Sequence, residues 1–157
     1  MTLDDRSIHG SAVMIGDRGV LIRGPSGAGK SRLAFDLILA GRAGILPQVS
    51  LIGDDRLLLR LDGPMLTARP APALAGLLEI RGLGIRRTTF IAEGALSLVV
   101  DLAASDGARL PAPEARRTAI AGVELPRIAV AAGYDALPLV VAWFVTEDVE
   151  PARSPPA

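Results

Sequence analysis

The chain predicts an α/β fold in a single domain, with a mixed β-sheet and a P-loop helix, on three observations. The octapeptide Gly24-Pro25-Ser26-Gly27-Ala28-Gly29-Lys30-Ser31 matches the pattern G-x-x-x-x-G-K-[ST]. It lies between a short apolar run and a helical pattern, the strand–loop–helix setting in which such a loop closes its backbone N–H groups around phosphate. Just upstream, Gly16-Asp17-Arg18-Gly19 separates two apolar runs and reads as a turn. The strand entering the loop therefore belongs to an antiparallel hairpin, which makes the sheet mixed.

Bulk properties agree with one folded domain. The 157 residues suffice for a proper core, half of them are hydrophobic, and only five are aromatic, so that core is aliphatic. Formal net charge is zero, which leaves no long-range field to attract nucleic acid. No apolar run approaches the roughly 18–20 residues that span a bilayer, so no membrane partner is expected. The polar start Met1-Thr2-Leu3-Asp4-Asp5-Arg6 is unlike a secretory signal, and cysteine is absent, which together point to the cytoplasm. Sixteen arginines stand against a single lysine, Lys30, inside the octapeptide. A compact ammonium fits a tight phosphate nest that a planar guanidinium does not.

In chain order, Ser11–Ile15 and residues 19–23 read as the hairpin, and residues 31–40 as a helix of about three turns stopped by Gly41. Strands are expected at 49–52, 57–61 and Leu77–Ile80, with a Pro/Ala loop at 68–75 and a turn at Gly82/Gly84. Strand-like segments follow at 88–91 and 96–101, a polar loop with one helical turn at 103–117, and buried closing strands at 128–131 and 139–144. Residues 1–150 form the expected domain, and 151–157, with three prolines in seven residues, an expected disordered tail.

A phosphate loop binds phosphate without saying what is done to it; a metal carboxylate, a base and charge stabilisation must come from elsewhere. Asp54 and Asp55 end the run Val49-Ser50-Leu51-Ile52-Gly53, and adjacent strand residues face opposite ways, so the two can serve a metal and an incoming hydroxyl separately. The plainer reading is an Asp-Asp turn between two strands. The run ending at Asp101 fits the same loose pattern, and pattern alone does not choose; the pair offers two carboxylates in the first strand after the helix. Glu79 and Arg81 share one face of an extended segment beside Gly82 and Gly84, which suits either metal and phosphate handling or a surface ion pair. His9, the one histidine, reads as a surface or capping residue.

The hairpin entry, His9-Gly10, the aspartate pair and above all Glu79-Ile80-Arg81-Gly82-Leu83-Gly84-Ile85 resemble the catalytic domain of the HPr kinase/phosphorylase family, over roughly residues 9–130. The chain looks like the short form without that family's N-terminal domain. The resemblance implies a P-loop kinase of the phosphoenolpyruvate carboxykinase-like type that uses ATP and Mg²⁺ to phosphorylate a serine of the phosphocarrier HPr or its nitrogen-type paralogue. It implies that Gly24, Pro25, Ser26, Gly27, Ala28, Gly29, Lys30 and Ser31 bind the nucleotide, with Lys30 holding the transferring phosphate. Ser31 and Glu79 would bind Mg²⁺, and Asp55 would be the base with Asp54 beside it. His9 would be an active-site histidine, and Arg109 falls where the family has a functional arginine. Three departures bear on these expectations. Extra residues at 43–50 mean that the aspartate pair aligns by motif rather than spacing. Residues 131–138 lack the arginine of the family's phosphate loop, which predicts kinase activity stronger than phosphorylase activity. The sequence ends soon after Phe144, so the family's C-terminal helices are expected to be reduced, and a homo-oligomer is left open. The rival readings are a small-molecule P-loop kinase, with Arg86-Arg87 or Arg116-Arg117 as a lid, and a non-catalytic nucleotide-binding regulator. A GTPase is disfavoured, because its guanine-reading motif needs a second lysine.

Overall fold

The chain enters through β1 (Arg6–His9) and β2 (Ser11–Ile15) and turns at Gly16 into β3 (Arg18–Arg23). The glycine loop leads into α1 (Lys30–Arg42), followed by β4 (Val49–Gly53), β5 (Arg56–Asp62) and β6 (Met65–Pro70). A 3-10 turn at Pro72–Leu74 precedes β7 (Leu77–Ile80) and β8 (Gly84–Arg87), and the long strand β9 (Gly94–Asp101) follows. A second 3-10 turn, Pro113–Arg116, then β10 (Arg117–Ile120), β11 (Val123–Ala129) and α2 (Ala136–Val145) complete the computed structural model, which describes residues 6–149. The expected tail, 151–157, lies outside the described residues.

Nine of these strands form one mixed sheet in the order β1-β5-β6-β9-β3-β2-β4, with β11 also on β9 and β10 on β11. β3, β9 and β11 run parallel, whereas β2 is antiparallel to both β3 and β4. β7 and β8 make a separate two-stranded hairpin.

The central strands are apolar along their length because both faces are covered. Val20, Ile22, Leu98 and Val100 pack with Leu33, Ala34, Leu37 and Ile38 of α1 and Val140 of α2. Leu21, Val99 and Leu96 face the other way, against Leu57, Leu59, Leu66, Ile120 and Leu125. The helix pattern read at 31–40 is the α1 stripe that enters the first of these cores. Among the described residues no helix is long and apolar enough to cross a membrane.

Several expected elements differ. Residues 139–144 are helical, not a closing strand: Asp135 caps α2 by accepting from Leu137 N at 3.1 Å, and the helix packs on the core through Ala136 and Val140. The Pro/Ala stretch begins inside β6, whose Pro70 pairs with Leu57. Of 88–91, Phe90 alone bridges to a strand, at Leu51. Of the strand expected at 128–131, Ile128 and Ala129 end the longer β11, and Val130 and Ala131 lie beyond it.

Candidate functional site

The glycine loop leaves the carboxyl end of β3, where the parallel strand β9 also ends. Gly27 and Gly29 hold φ of 83° and 100°, and a Cβ on either would meet nothing within 4 Å. Their backbone is therefore bent into a conformation that side chains resist, around open space that an oxyanion can fill. Lys30 Nζ donates to the loop's own carbonyls, Gly24 O at 2.9 Å and Pro25 O at 3.1 Å.

Three segments converge on Asp54, which is buried with 4 % of its surface exposed. Ser31 Oγ, in the first turn of α1, lies 2.8 Å from each carboxylate oxygen. Ser11 Oγ, at the start of β2 and fully buried, donates to Oδ1 at 2.5 Å. The backbone N–H of Glu79 in β7 donates to Oδ2 at 3.1 Å. Three donors keep a buried carboxylate satisfied and fixed in direction. Asp55 next to it has φ of 70° and is exposed, so the tight turn turns the two carboxylates apart. Asp55 O accepts from Gly10 N at 3.1 Å, and His9 pairs with Arg56, which brings His9 and Gly10 alongside this turn.

The glycine loop, Lys30, Ser31, Asp54, Asp55, His9 and Glu79 thus gather at one place. Glu79 reaches Asp54 through its backbone, with its side chain exposed. Arg109 is not brought to the others. It lies in the 102–116 loop and lines a groove of about 990 Å³ with Arg116, Ile128, Leu139 and Trp143, none of which touches the aspartate pair. Ser11 is the polar residue that sequence reasoning missed; its only signal was a hydroxyl at the head of an apolar run, two residues after His9.

The choice between Asp54 and Asp101 left open by pattern is made by their neighbours. Arg23 takes both oxygens of Asp101, at 2.7 Å and 2.8 Å, and Arg127 Nε adds a bond of 2.5 Å. Burial pushes the Asp101 carboxyl up, but the hydrogen bonds and charges of Arg23 and Arg127 outweigh it and hold it below its ordinary value. Arg127 also pairs with Asp106, which lowers that carboxyl in turn. Asp101 therefore ties the ends of β3, β9 and β11 together, with both oxygens turned to arginine and away from the glycine loop's serine.

A carboxyl oxygen and a hydroxyl at the mouth of a loop shaped for phosphate are the hard oxygen donors that a divalent cation takes alongside phosphate and water. The Ser31 hydroxyl and the exposed Glu79 carboxylate suit Mg²⁺ on those grounds, while Asp54 is taken up by its own three donors.

Comparison with known proteins bears on the family. The HPr Serine kinase C-terminal domain matches residues 2–136. The HPr kinase/phosphorylase of Lacticaseibacillus casei (strain BL23) is 44 % identical over 81 residues, covering 51 % of this chain and 23 % of that protein. The HPr kinase/phosphorylase of Neisseria meningitidis serogroup C is 38 % identical over 106 residues, 62 % of this chain and 31 % of that protein. The chain thus spans less than a third of the length of these relatives. In fold, the structure of the HPr(Ser) kinase/phosphatase from Coxiella burnetii superposes with a TM-score of 0.69 at 24 % identity, over 89 % of this chain and 93 % of that one.

Proposed function

The chain belongs to the HPr serine kinase C-terminal domain family, and on that basis we propose that it is an ATP-dependent, cytoplasmic protein kinase whose acceptor is a serine of HPr or its nitrogen-type paralogue. The fold is then a P-loop kinase of the phosphoenolpyruvate carboxykinase-like type. One observation carries the reading: Ser31 and Glu79 N meet on buried Asp54 at the glycine loop, while Asp55 beside it stands exposed.

The roles follow from that arrangement. The loop N–H groups and Lys30 neutralise the phosphates; Lys30 exchanges its bonds to Gly24 O and Pro25 O for phosphate oxygen, a change of partner within one flexible side chain. Ser31 and Glu79 would hold Mg²⁺, with Asp54 orienting the Ser31 hydroxyl. When bound, the metal offsets phosphate charge. Asp55 accepts the proton of the attacking seryl hydroxyl, whose oxygen takes the phosphoryl as ADP departs. His9, alongside the same turn, borders the acceptor position. Residues 131–138 supply no arginine of their own, which favours transfer to the protein over phosphorolysis.

The test mixes the protein, Mg²⁺ and γ-labelled ATP with HPr. Acid-stable phosphoserine on HPr is expected, and Asp55→Asn should abolish it with ATP binding retained. ATP binding without any label on HPr would reject the reading in favour of a small-molecule kinase or a nucleotide-gated regulator.

A further inference from the structure

Ser11 and Asp54 are the two buried polar or charged side chains among the described residues, and they bond to each other. An apolar side chain would suit the interior of β2, and a hydroxyl there costs free energy unless it is bonded. The strand around Ser11 is shaped for this contact. Ala12 pairs with Gly53 and Val13 with Leu51, which leaves Ile52 as an extra residue in β4. Such a bulge re-aims the chain that follows it, here Asp54 and Asp55. Gly10 N donates to Asp55 O at 3.1 Å. Residues 10–12 thus hold residues 53–55 at three successive points, by main chain at Gly53 and Asp55 and by the Ser11 side chain at Asp54.

The chemistry of the site depends on what Asp54 does to Ser31. A serine hydroxyl has one proton and two lone pairs, so it ligates a cation only when its proton is placed elsewhere. Ser31 Oγ stands 2.8 Å from both oxygens of Asp54, which can take that proton and leave the lone pairs turned away from the carboxylate. The terminal torsion of an aspartate is broad, and the carboxylate does not fix its own plane. Ser11 on Oδ1, from β2, and Glu79 N on Oδ2, from β7, fix it between them. Without Ser11 the carboxylate is free to pivot on the Glu79 N–H, and Ser31 loses a constant acceptor.

We propose that Ser11 is a positioning residue for phosphoryl transfer, holding Asp54 in the orientation that takes the Ser31 proton and frees the Ser31 oxygen for the divalent cation. The inference rests on the kinase reading and adds to it a residue that touches neither nucleotide nor metal.

The experiment measures ADP affinity by calorimetry, in EDTA and in saturating Mg²⁺, for the protein, Ser11→Ala and Ser11→Thr. Ser11→Ala should bind ADP normally in EDTA but lose about fivefold or more of the gain that Mg²⁺ brings. That is below the roughly 10–100-fold cost of removing a ligand's own partner, because Ser11 acts one bond further out. Ser11→Thr keeps the hydroxyl and should restore the gain; should it not fold, Ser11→Ala decides alone. In the transfer assay, half-saturating Mg²⁺ should rise in Ser11→Ala while KM for HPr stays constant. An undiminished Mg²⁺ gain in Ser11→Ala would overturn the role. So would an equal loss of ADP affinity with and without metal, the mark of a purely structural residue. Unlabelled HPr alongside a Ser11-dependent gain would remove the kinase reading and leave Ser11 positioning a nucleotide–metal site. Absence of any Mg²⁺ gain in the unsubstituted protein would remove the metal assignment and the role of Ser11 together.

Discussion

Replacing Ser11 by alanine removes one oxygen and should loosen the carboxylate on which the site is assembled. Ser11 is fully buried, and its Oγ lies 2.5 Å from Asp54 Oδ1. A hydrogen bond to a charged acceptor contributes about 1.5–3 kcal/mol. Asp54 would retain Ser31 Oγ on both oxygens and Glu79 N on Oδ2, so no carboxylate oxygen is orphaned. The loss should therefore fall at the lower end, about 1.5 kcal/mol, which for a domain of this size is roughly 3–6 °C in melting temperature. Urea unfolding of Ser11→Ala, Asp54→Ala and the double variant isolates the pairwise contribution. A coupling energy of about 1 kcal/mol or more is expected, since residues in direct contact interact by about 0.5–3 kcal/mol. Stability losses that add to within about 0.5 kcal/mol would refute the claim that Ser11 holds Asp54.

Three other perturbations bear on the same structure. Asp101 has its carboxyl held below the ordinary value of 3.8 by Arg23 and Arg127, so its contribution to stability is complete above that value and is lost as pH falls through the lowered one. Acid unfolding should steepen below about pH 4, and Asp101→Asn, less stable at neutral pH, should flatten that limb; identical slopes would reject the linkage. Gly19→Ala puts a Cβ 2.3 Å from Ala95 O, between β3 and β9, and should cost about 2–3 kcal/mol of unfolding free energy. A wild-type denaturation midpoint would mean that the two strands are not so closely apposed. Asp55→Gly relieves the left-handed φ of 70° and should raise stability by about 0.5–1 kcal/mol while abolishing transfer to HPr. Retained transfer would remove Asp55 as the base.

Local pattern made the glycine loop, β2 and α1 legible, because there the apolar period, turn glycines and helix start agree with the tertiary structure. The 139–144 run was misread because a short apolar stretch does not distinguish a buried strand from a buried helix. The deciding signals, Asp135 as cap and Pro138 in the first turn, lie just outside it. β1 and β8 are mostly exposed and lack alternation, and β6 was masked by the prolines at its end. Within the site, the two aspartates and Glu79 were visible as motifs. The preference for Asp54 over Asp101 becomes decisive only when Arg23 is seen to occupy one and Ser31 the other. Ser11 carried no periodic signal at all, since a single serine in an apolar strand looks like tolerance until its partner 43 positions away is known.

The parallel pairing of β3 with β9 has a consequence for how the chain comes to be folded during synthesis. Arg23 and Asp101 are 78 residues apart, and closing a loop of that length costs about 4 kcal/mol in chain entropy before any strand contact offsets it. At about 5–20 residues per second, a ribosome needs several seconds to supply β9 after β3 has emerged. During that interval the β2–β3 hairpin can form alone, but it exposes aliphatic side chains on both faces and an unpaired edge, a surface suited to chaperone capture. Gly24 is walled by Leu102, beyond the end of β9, so the phosphate loop gains its shape only when the last partner arrives. A nucleotide held by that loop would then bind the completed fold and not its precursors, and so act as a thermodynamic brake on unfolding.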